Sequence, residues 1–204
     1  LMARLGNPQE RLHVVHVAGT KGKGSTSAMI ERVLRAAGYR TGLYTSPHLH
    51  DPRERLRVDG QPISEESFIG QVQRLRQHIN EMGEVTTFEA LTAMAFVWFV
   101  ESEVDVVVLE VGLGGRLDAT NLVTPLVSVI TPLALEHTAV LGDTMQEIAA
   151  EKGGIIKEGV PVVSANQPKE ALAVLQQLAQ ERNAPLIVAS EHWESVRSHI
   201  SRDG

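Results

Sequence analysis

A glycine-rich segment with lysine and hydroxyl side chains carries the most chemical information in this sequence. Residues 16–26 read His-Val-Ala-Gly-Thr-Lys-Gly-Lys-Gly-Ser-Thr. Glycines such as Gly22 allow consecutive backbone N–H groups to converge on an anion, and the start of a following helix adds positive charge. Lys23 can then reach the terminal phosphates of a nucleotide, and the Ser25 hydroxyl can hold Mg²⁺. The segment predicts a site for ATP with magnesium, which we call the phosphate loop (residues 19–25).

The segment departs from the general pattern G-x-x-x-x-G-K-[ST] at two positions. Val17 occupies the first glycine position, and Gly24 stands where the hydroxyl residue should follow the lysine, so Ser25 has to serve instead. A glycine-rich turn without a ligand is the alternative interpretation. The context favours the phosphate site, because the apolar run 12–18 predicts a strand before the turn, and helical spacing predicts a helix that ends at Gly38. That helical spacing comes from Met29, Ile30, Val33, Leu34 and Ala37.

Two further candidates follow later apolar runs. Ser46 lies in Thr-Ser-Pro-His-Leu (45–49), and Glu110 lies at the end of the run 105–111. A carboxylate is rarely buried without a partner, and Mg²⁺ prefers one or two carboxylates together with phosphate oxygens and water. We therefore predict that Glu110 is a magnesium ligand, and Ser46 is a candidate for a second ligand although the residue alone favours a structural role. The alternatives are a turn hydroxyl before a proline for Ser46, and a solvated or arginine-paired carboxylate for Glu110.

His137 and Lys152 are weaker candidates. His137 follows the apolar run 126–131 and could complete the metal site as a neutral imidazole, although a single histidine is more often structural. Lys152 ends a predicted helix among apolar neighbours, and burial would lower its pKa, so that the neutral amine could react with CO₂ and form a metal-binding carbamate. A lysine that simply meets the helix dipole is the alternative, and the residues alone favour it.

The elements that must position these residues alternate between strands and helices. Strands are predicted at 12–18, 41–45, 105–111, 126–131, 160–164 and 186–189. Besides the helix after the phosphate loop, helices are predicted behind Ser64, over the buried run 88–100, from Thr144 to Lys152 by a capping box, and from a first turn at Pro168. This alternation predicts an α/β fold with a mostly parallel sheet and helices on both faces, where ligands collect at the carboxyl ends of the strands.

Composition narrows the class of protein. The chain has 204 residues, 43% of them hydrophobic, which suffices for one sizeable domain. It has no cysteine, which excludes disulfides, thiolate zinc sites and cysteine nucleophiles. A formal net charge of -6 gives no general attraction to nucleic acid or to anionic membranes. We expect no membrane span and a cytoplasmic protein, and the beginning at Leu1 and the polar end at 198–204 indicate a piece of a longer chain.

Five motifs in the same order resemble those of folylpolyglutamate synthase and dihydrofolate synthase, within the Mur ligase superfamily. They are Val-Ala-Gly-Thr-Lys-Gly-Lys-Gly-Ser-Thr (17–26), Thr-Ser-Pro-His-Leu (45–49), Thr-Phe-Glu (87–89), Leu-Glu-Val-Gly-Leu-Gly-Gly-Arg-Leu-Asp-Ala-Thr-Asn (109–121) and Glu-Lys-Gly-Gly-Ile-Ile-Lys (151–157). The resemblance covers nearly the whole chain. It implies a P-loop-containing central domain of the Mur ligase type, with residues 1–204 as one truncated ATPase domain and the C-terminal ligase domain absent from this chain.

The resemblance also implies an activity: ATP-dependent addition of L-glutamate to the carboxylate of dihydropteroate or a reduced folate, through an acyl phosphate. ATP and Mg²⁺ are the implied cofactors, and the full-length enzyme is implied to be a monomer. The implied phosphate contacts are Thr20, Gly22, Lys23, Gly24 and Ser25; the metal ligands are Ser46, Glu110, His137 and, as a carbamate, Lys152; and the pterin contacts are Thr86, Phe88, Leu117, Asp118 and Ala119. Lys23, His137 and Lys152 are the catalytic candidates.

The sequence also departs from the family pattern. Lys21 replaces the commoner asparagine, Glu136 stands where an aspartate usually precedes the histidine, and Gly153 replaces an alanine. The family's later ATP-binding asparagine and arginine have no counterpart in this chain, so we expect the isolated chain to be inactive. The alternatives are a non-catalytic or degenerate nucleotide-binding module and another amino acid ligase of the Mur type.

Overall fold

One eight-stranded sheet forms the centre of the structure, a computed structural model that describes residues 1–191. The strands are β1 (Val14–Ala18), β2 (Thr41–Tyr44), β3 (Leu56–Val58), β4 (Gln61–Pro62), β5 (Val106–Glu110), β6 (Val127–Ile130), β7 (Val162–Ser164) and β8 (Leu186–Val188). They lie in the order β4-β3-β2-β5-β1-β6-β7-β8, and only the β2–β3 and β3–β4 pairs are antiparallel. The predicted mostly parallel sheet is confirmed, whereas the polar tail 198–204 lies outside the described residues.

Strands β3 and β4 form a hairpin that the sequence pattern did not predict. They have only three and two residues, and the second contains Gln61 and Pro62, so neither shows an apolar strand pattern. The turn between them carries the signal that was missed: Asp59 and Gly60 have φ values of 50° and 78°, the left-handed conformations of a two-residue hairpin turn. Asp59 Oδ1 also accepts a hydrogen bond from the Thr41 backbone N–H at 2.9 Å, which ties the turn to β2.

Six α-helices accompany the sheet in the described part of the chain. They are α1 (Lys23–Ala36), α2 (Glu65–Met82), α3 (Thr87–Glu101), α4 (Thr138–Leu141), α5 (Met145–Gly153) and α6 (Lys169–Glu181). The predicted capping box of α5 is present, since the Thr144 side chain accepts from the Glu147 N–H and the Glu147 carboxylate accepts from the Thr144 N–H. Pro168 is the N-cap of α6 and not part of its first turn. No helix among residues 1–191 combines the length and apolarity needed to cross a membrane.

The helix α1 corrects one sequence prediction. Met29 and Val33, which contributed to the predicted apolar face, are 61% and 68% exposed. Ile30 and Leu34, which belong to the same predicted face, do pack against the sheet. Between them, the buried carboxylate of Glu31 accepts a hydrogen bond from the Thr41 hydroxyl at 2.7 Å. The face of α1 toward the sheet is therefore partly polar. The hydrogen bond compensates the cost of burying the Glu31 carboxylate, so Glu31 is buried where the hydrophobic pattern predicted Met29 and Val33.

Helices cover both faces of the sheet. Side chains alternate along each strand, so Val14 and Leu109 pack into the core formed with α2 and α3, whereas Val17 and Val108 pack beneath α1. The helices α5 and α6 pack over β6 and β7, around Ile130. This arrangement confirms the predicted α/β fold, and it places the loops that follow β1, β2, β5 and β6 at one edge of the sheet.

Candidate active site

The phosphate loop joins β1 to α1 at the carboxyl edge of the sheet. Gly19 and Gly22 have φ values of 147° and 79°, and Gly22 is the N-cap of α1. Because Gly22 has no side chain to cap the helix, the first N–H groups of α1 are left to a ligand or to water. The Thr20 and Lys21 N–H groups both donate to the Pro132 carbonyl at 3.1 Å, which holds the loop against the segment after β6. The loop therefore has a fixed backbone and an open helix N-terminus.

Gly19 is the loop position that should tolerate substitution least. A Cβ at Gly19 would lie 1.8 Å from Thr131 Oγ1, in addition to the unfavourable φ. We expect Gly19→Ala to lower the free energy of unfolding by about 3 kcal/mol, through backbone strain and steric overlap, in denaturant titrations. Gly70→Ala is the matched control, because Gly70 lies in α2 and a Cβ there meets nothing within 4 Å. That control should gain up to about 1 kcal/mol from helix propensity, and equal losses in both variants would contradict the loop geometry.

Glu110 is a buried carboxylate beside the first turn of α1. It is 3% exposed, and its Oε2 accepts a hydrogen bond from the Ser46 backbone N–H at 3.0 Å. A Cβ on Gly24 would lie 3.5 Å from the same oxygen, so the helix start and the carboxylate are in close contact. Burial raises the pKa of Glu110, although the Ser46 N–H and the charges of Lys23 and Arg55 oppose that rise. The structure thus joins Lys23, Ser46 and Glu110 in one place.

Lys152 is buried against the phosphate loop. It is 3% exposed, and its Nζ donates a hydrogen bond to the Gly19 carbonyl oxygen at 2.9 Å. Burial and the positive charge of Lys23 lower the pKa of Lys152 to about 8, against the opposing effects of Glu136 and Asp118. The side chain therefore lies in the interior against the loop, and not at a solvated helix end.

His137 is connected to the phosphate loop through its neighbour. Glu136 forms an ion pair with Lys21, and the Lys21 hydrogen bond holds the pKa of Glu136 below its ordinary value. His137 follows with φ 53° as the N-cap of α4. The Thr20 hydroxyl also bonds this segment, because it donates to the Ala134 carbonyl at 3.2 Å and accepts from the Ala134 N–H at 3.1 Å. These contacts bring the predicted ligand His137 to the same edge of the sheet as the phosphate loop.

The described residues offer few metal ligands of their own. Within residues 1–191, no group of three or more His, Cys, Asp or Glu side chains lies close enough together to hold a metal ion. Glu110 provides one buried carboxylate, and Ser46 beside it provides a hydroxyl. Mg²⁺ usually takes only one or two carboxylates and completes its shell with phosphate oxygens and water. The donor set therefore fits Mg²⁺ that arrives with nucleotide phosphates, and does not fit a metal held by the protein alone.

The predicted pterin contacts line a single cavity of about 370 Å³. It lies between the start of α3 and the loop after β5, and all five candidates line it: Thr86, Phe88, Leu117, Asp118 and Ala119. Phe88 packs against Tyr44 with ring centroids 6.1 Å apart, and Leu117 is 79% exposed. Thr86 caps α3, since its Oγ1 accepts from the Glu89 N–H at 3.2 Å. The walls combine apolar side chains and one aromatic ring with four charged residues, Glu89, Arg116, Asp118 and Glu151. The volume and this mixed lining suit a flat organic ligand that carries polar groups.

Sequence reasoning missed the pairing of Lys21 with Glu136. Both residues depart from the family pattern, and their complementary charges were the available signal. An exposed ion pair contributes little stability. Its effect is therefore local: it joins the phosphate loop to the residue that precedes His137.

Comparisons with known proteins show to which proteins this chain is similar. The chain matches the model of the Mur ligase middle domain over residues 17–201. It is 48% identical over 191 residues to the dihydrofolate synthase/folylpolyglutamate synthase of Bacillus subtilis, which covers 91% of this chain and 44% of that relative.

Two solved structures are also similar to this chain. One, described as an FPGS-AMPPCP-folate complex, has a TM-score of 0.89 and 40% identity, and covers 92% of this chain and 47% of that chain. The other, the folylpolyglutamate synthase of Mycobacterium tuberculosis complexed with ADP and AMPPCP, has a TM-score of 0.86 and 37% identity, with 92% and 45% covered. The chain spans less than half the length of each of these relatives.

Proposed function

This chain belongs to the Mur ligase family through its middle domain, and on that premise we propose that it is the ATP-binding part of a ligase that adds L-glutamate to a pterin carboxylate. The five-motif resemblance to folylpolyglutamate synthase and dihydrofolate synthase is confirmed by the similarity over most of this chain. One observation carries the proposed activity. The phosphate loop is in contact with a buried carboxylate, Glu110, and with a buried amine, Lys152. A second observation supports the identity of the acceptor, because all five candidate pterin contacts share one cavity.

The proposed reaction has two steps. An oxygen of the pterin carboxylate forms a bond to the γ-phosphorus of ATP, and the bond to the ADP oxygen breaks, which gives an acyl phosphate. The glutamate amine then bonds to the acyl carbon, inorganic phosphate leaves, and the amine loses a proton to solvent. Both steps concentrate negative charge on phosphate oxygens, so fixed positive groups are what the protein has to supply.

Individual residues of this chain then have distinct tasks. The first N–H groups of α1, at Gly24 and Ser25, would bind phosphate oxygens, and Lys23 would neutralise charge that develops on the transferred phosphoryl group. Ser46, Glu110 and His137 would hold Mg²⁺. When it is bound, Mg²⁺ supplies charge neutralisation at the phosphates. Thr20 and Lys21 keep the loop in place through their bonds to the segment after β6.

Lys152 is proposed to carry a carbamate. With a pKa lowered to about 8, a useful fraction of the amine is neutral near physiological pH, and it can attack CO₂ and release one proton. We expect ¹³C NMR of protein in ¹³C-bicarbonate at pH 8 to show a carbamate signal that Lys152→Met lacks. Lys169→Met is the control, since Lys169 is an exposed residue of α6 and should leave the signal unchanged. An absent signal in the wild-type protein would refute the carbamate.

The complete enzyme is proposed to contain a further domain that contributes to the nucleotide and glutamate sites, and to act as a monomer. The chain covers 44% of the Bacillus subtilis relative, so a large part of a related ligase has no counterpart among these residues. Turnover therefore has to be measured on the full-length protein. Nucleotide binding can be measured on this chain as well, because the phosphate loop and Glu110 both belong to it.

The experiment that tests the proposal measures phosphate release by the full-length protein with ATP, Mg²⁺ and L-glutamate. Dihydropteroate and a reduced folate are compared as acceptors, and omission of the acceptor gives the background. Acceptor-dependent phosphate release is the expected result. Titration calorimetry with Mg-ATP supplies the second measurement: nucleotide binding by a folded protein that releases no phosphate would identify a non-catalytic binding module instead. Turnover only with a non-pterin acceptor would identify another amino acid ligase of the Mur type.

A further inference from the structure

His16 is a buried titratable residue that the proposed reaction does not use. It lies in the middle of β1, three residues before Gly19, and it is 0% exposed. Burial lowers its pKa to about 3, and the nearby positive charge of Lys157 adds to the effect, so the ring is neutral at physiological pH. Its Nδ1 is buried without a hydrogen-bond partner among the described residues. A leucine would fill a strand position at less cost, so the histidine needs another explanation.

The other ring nitrogen of His16 is connected by hydrogen bonds to the cavity that the predicted pterin contacts line, which we call the substrate cavity. His16 Nε2 lies 2.9 Å from Thr120 Oγ1, and the Thr120 hydroxyl donates to Asp118 Oδ1 at 2.5 Å. Because the hydroxyl proton is used on Asp118, the hydroxyl oxygen has to accept from His16, which fixes the Nε2–H tautomer. A directed chain of hydrogen bonds therefore runs from the centre of the sheet to a residue that lines the cavity.

Asp118 uses both carboxylate oxygens to shape its own loop. Its Oδ1 also accepts from the Thr120 backbone N–H, and its Oδ2 accepts from the Leu113 backbone N–H, each at 2.9 Å. The loop between β5 and β6 contains no helix or strand, so it is held by these bonds together with those that Arg116 makes to Glu151. Leu117 and Ala119 flank Asp118 and form part of the cavity wall. The Asp118 carboxylate is therefore one of the groups that set the position of that wall.

We propose that His16 is a positioning residue. It acts through Thr120 and Asp118 to hold the substrate loop (residues 113–120) at a fixed position relative to the phosphate loop. Both loops are then attached to the same strand, because β1 carries His16 and continues directly into Gly19. This arrangement aligns the acceptor carboxylate with the γ-phosphate. The inference rests on the proposed function for the identity of the substrate, while the hydrogen-bond chain itself does not depend on it.

The test compares Thr120→Val with Thr120→Ser in the full-length enzyme. Valine keeps the shape of threonine but removes the hydroxyl, whereas serine keeps the hydroxyl. We expect Thr120→Val to raise the KM for the pterin acceptor about tenfold, as for one lost bond to a charged group, and to leave the KM for ATP within about twofold. Thr120→Ser should behave as the wild type. His16→Gln, whose amide can donate in place of Nε2–H, should retain more acceptor affinity than His16→Leu.

Amide hydrogen exchange separates this inference from the proposed function. Exchange at the Leu113 and Thr120 amides, which donate to Asp118, should be faster in Thr120→Val and unchanged in Thr120→Ser. Unchanged exchange in Thr120→Val would overturn the positioning role, and so would faster exchange with an unchanged KM for the acceptor. A wild-type enzyme that turns over neither dihydropteroate nor a reduced folate would instead refute the proposed function. Amide exchange would still decide whether the hydrogen-bond chain holds the loop.

Discussion

Replacing Lys23 with alanine is expected to reduce ATP-dependent phosphate release by the full-length enzyme about a thousandfold. Lys23 is the first residue of α1, and its charge acts on both Glu110 and Lys152. Within residues 1–191, no ion pair or hydrogen bond joins its side chain to another residue, so the ammonium group is available to phosphates. Its removal takes away a charge that is needed most when negative charge moves between the γ-phosphate and ADP.

The same lack of partners predicts that Lys23→Ala folds normally. No buried acceptor loses its donor, and alanine is at least as good a helix former as lysine. We expect the thermal midpoint to stay close to that of the wild type, and Mg-ATP affinity in titration calorimetry to fall. Lys169→Ala is the matched control, because Lys169 is likewise the first residue of a helix, α6, and is exposed far along the chain from the phosphate loop. Turnover that survives in Lys23→Ala while the protein is folded would eliminate the phosphate loop as the ATP site.

The central strands could be predicted from the sequence because burial on both faces leaves a simple pattern. All five residues of β5 are buried, and so are all five of β1, so each reads as an apolar run in which only one residue, Glu110 or His16, is polar. The edge hairpin of β3 and β4 depends on the geometry of the turn at Asp59 and Gly60. A hydrophobic pattern contains no information about that geometry. The face of α1 was predicted less well for a related reason, since the buried Glu31 accepts a hydrogen bond from Thr41, which lies outside its helix.

The shared location of Lys23, Ser46, Glu110 and His137 could also be predicted, because each lies at or after the end of a parallel strand and the carboxyl ends of parallel strands share an edge. How deeply each side chain is buried could not be predicted in the same way. The burial of Lys152 depends on tight packing of the end of α5 against the loop after β5, where a Cβ on Gly154 would lie 2.4 Å from Arg116 Cα. The hydrogen bond between His16 and Thr120 joins residues separated by 104 positions, so no local sequence pattern predicts it.

Replacing Glu110 with glutamine is expected to raise the Mg²⁺ concentration needed for half-maximal turnover and to lower the maximal rate about a hundredfold. Glutamine keeps the size of the side chain and an oxygen that can accept from the Ser46 N–H, but it removes the charge of the buried carboxylate that lies next to the first turn of α1. Titration of turnover against Mg²⁺ provides the measurement. Glu103→Gln is the matched control, since Glu103 is exposed at the opposite end of β5. An unchanged Mg²⁺ requirement in Glu110→Gln would remove Glu110 from the metal site.

Stability should respond to Glu110→Gln in the direction opposite to activity. Burial raises the pKa of Glu110, so the folded protein binds this proton more readily than the unfolded chain does. The stability that the group contributes is therefore present at low pH and declines as the pH rises from the unfolded pKa through the raised folded one. Glutamine is neutral throughout that range and avoids the cost of a buried charge. Denaturant unfolding without Mg²⁺ at neutral pH should show equal or higher stability for Glu110→Gln, whereas a structural carboxylate would show a clear loss.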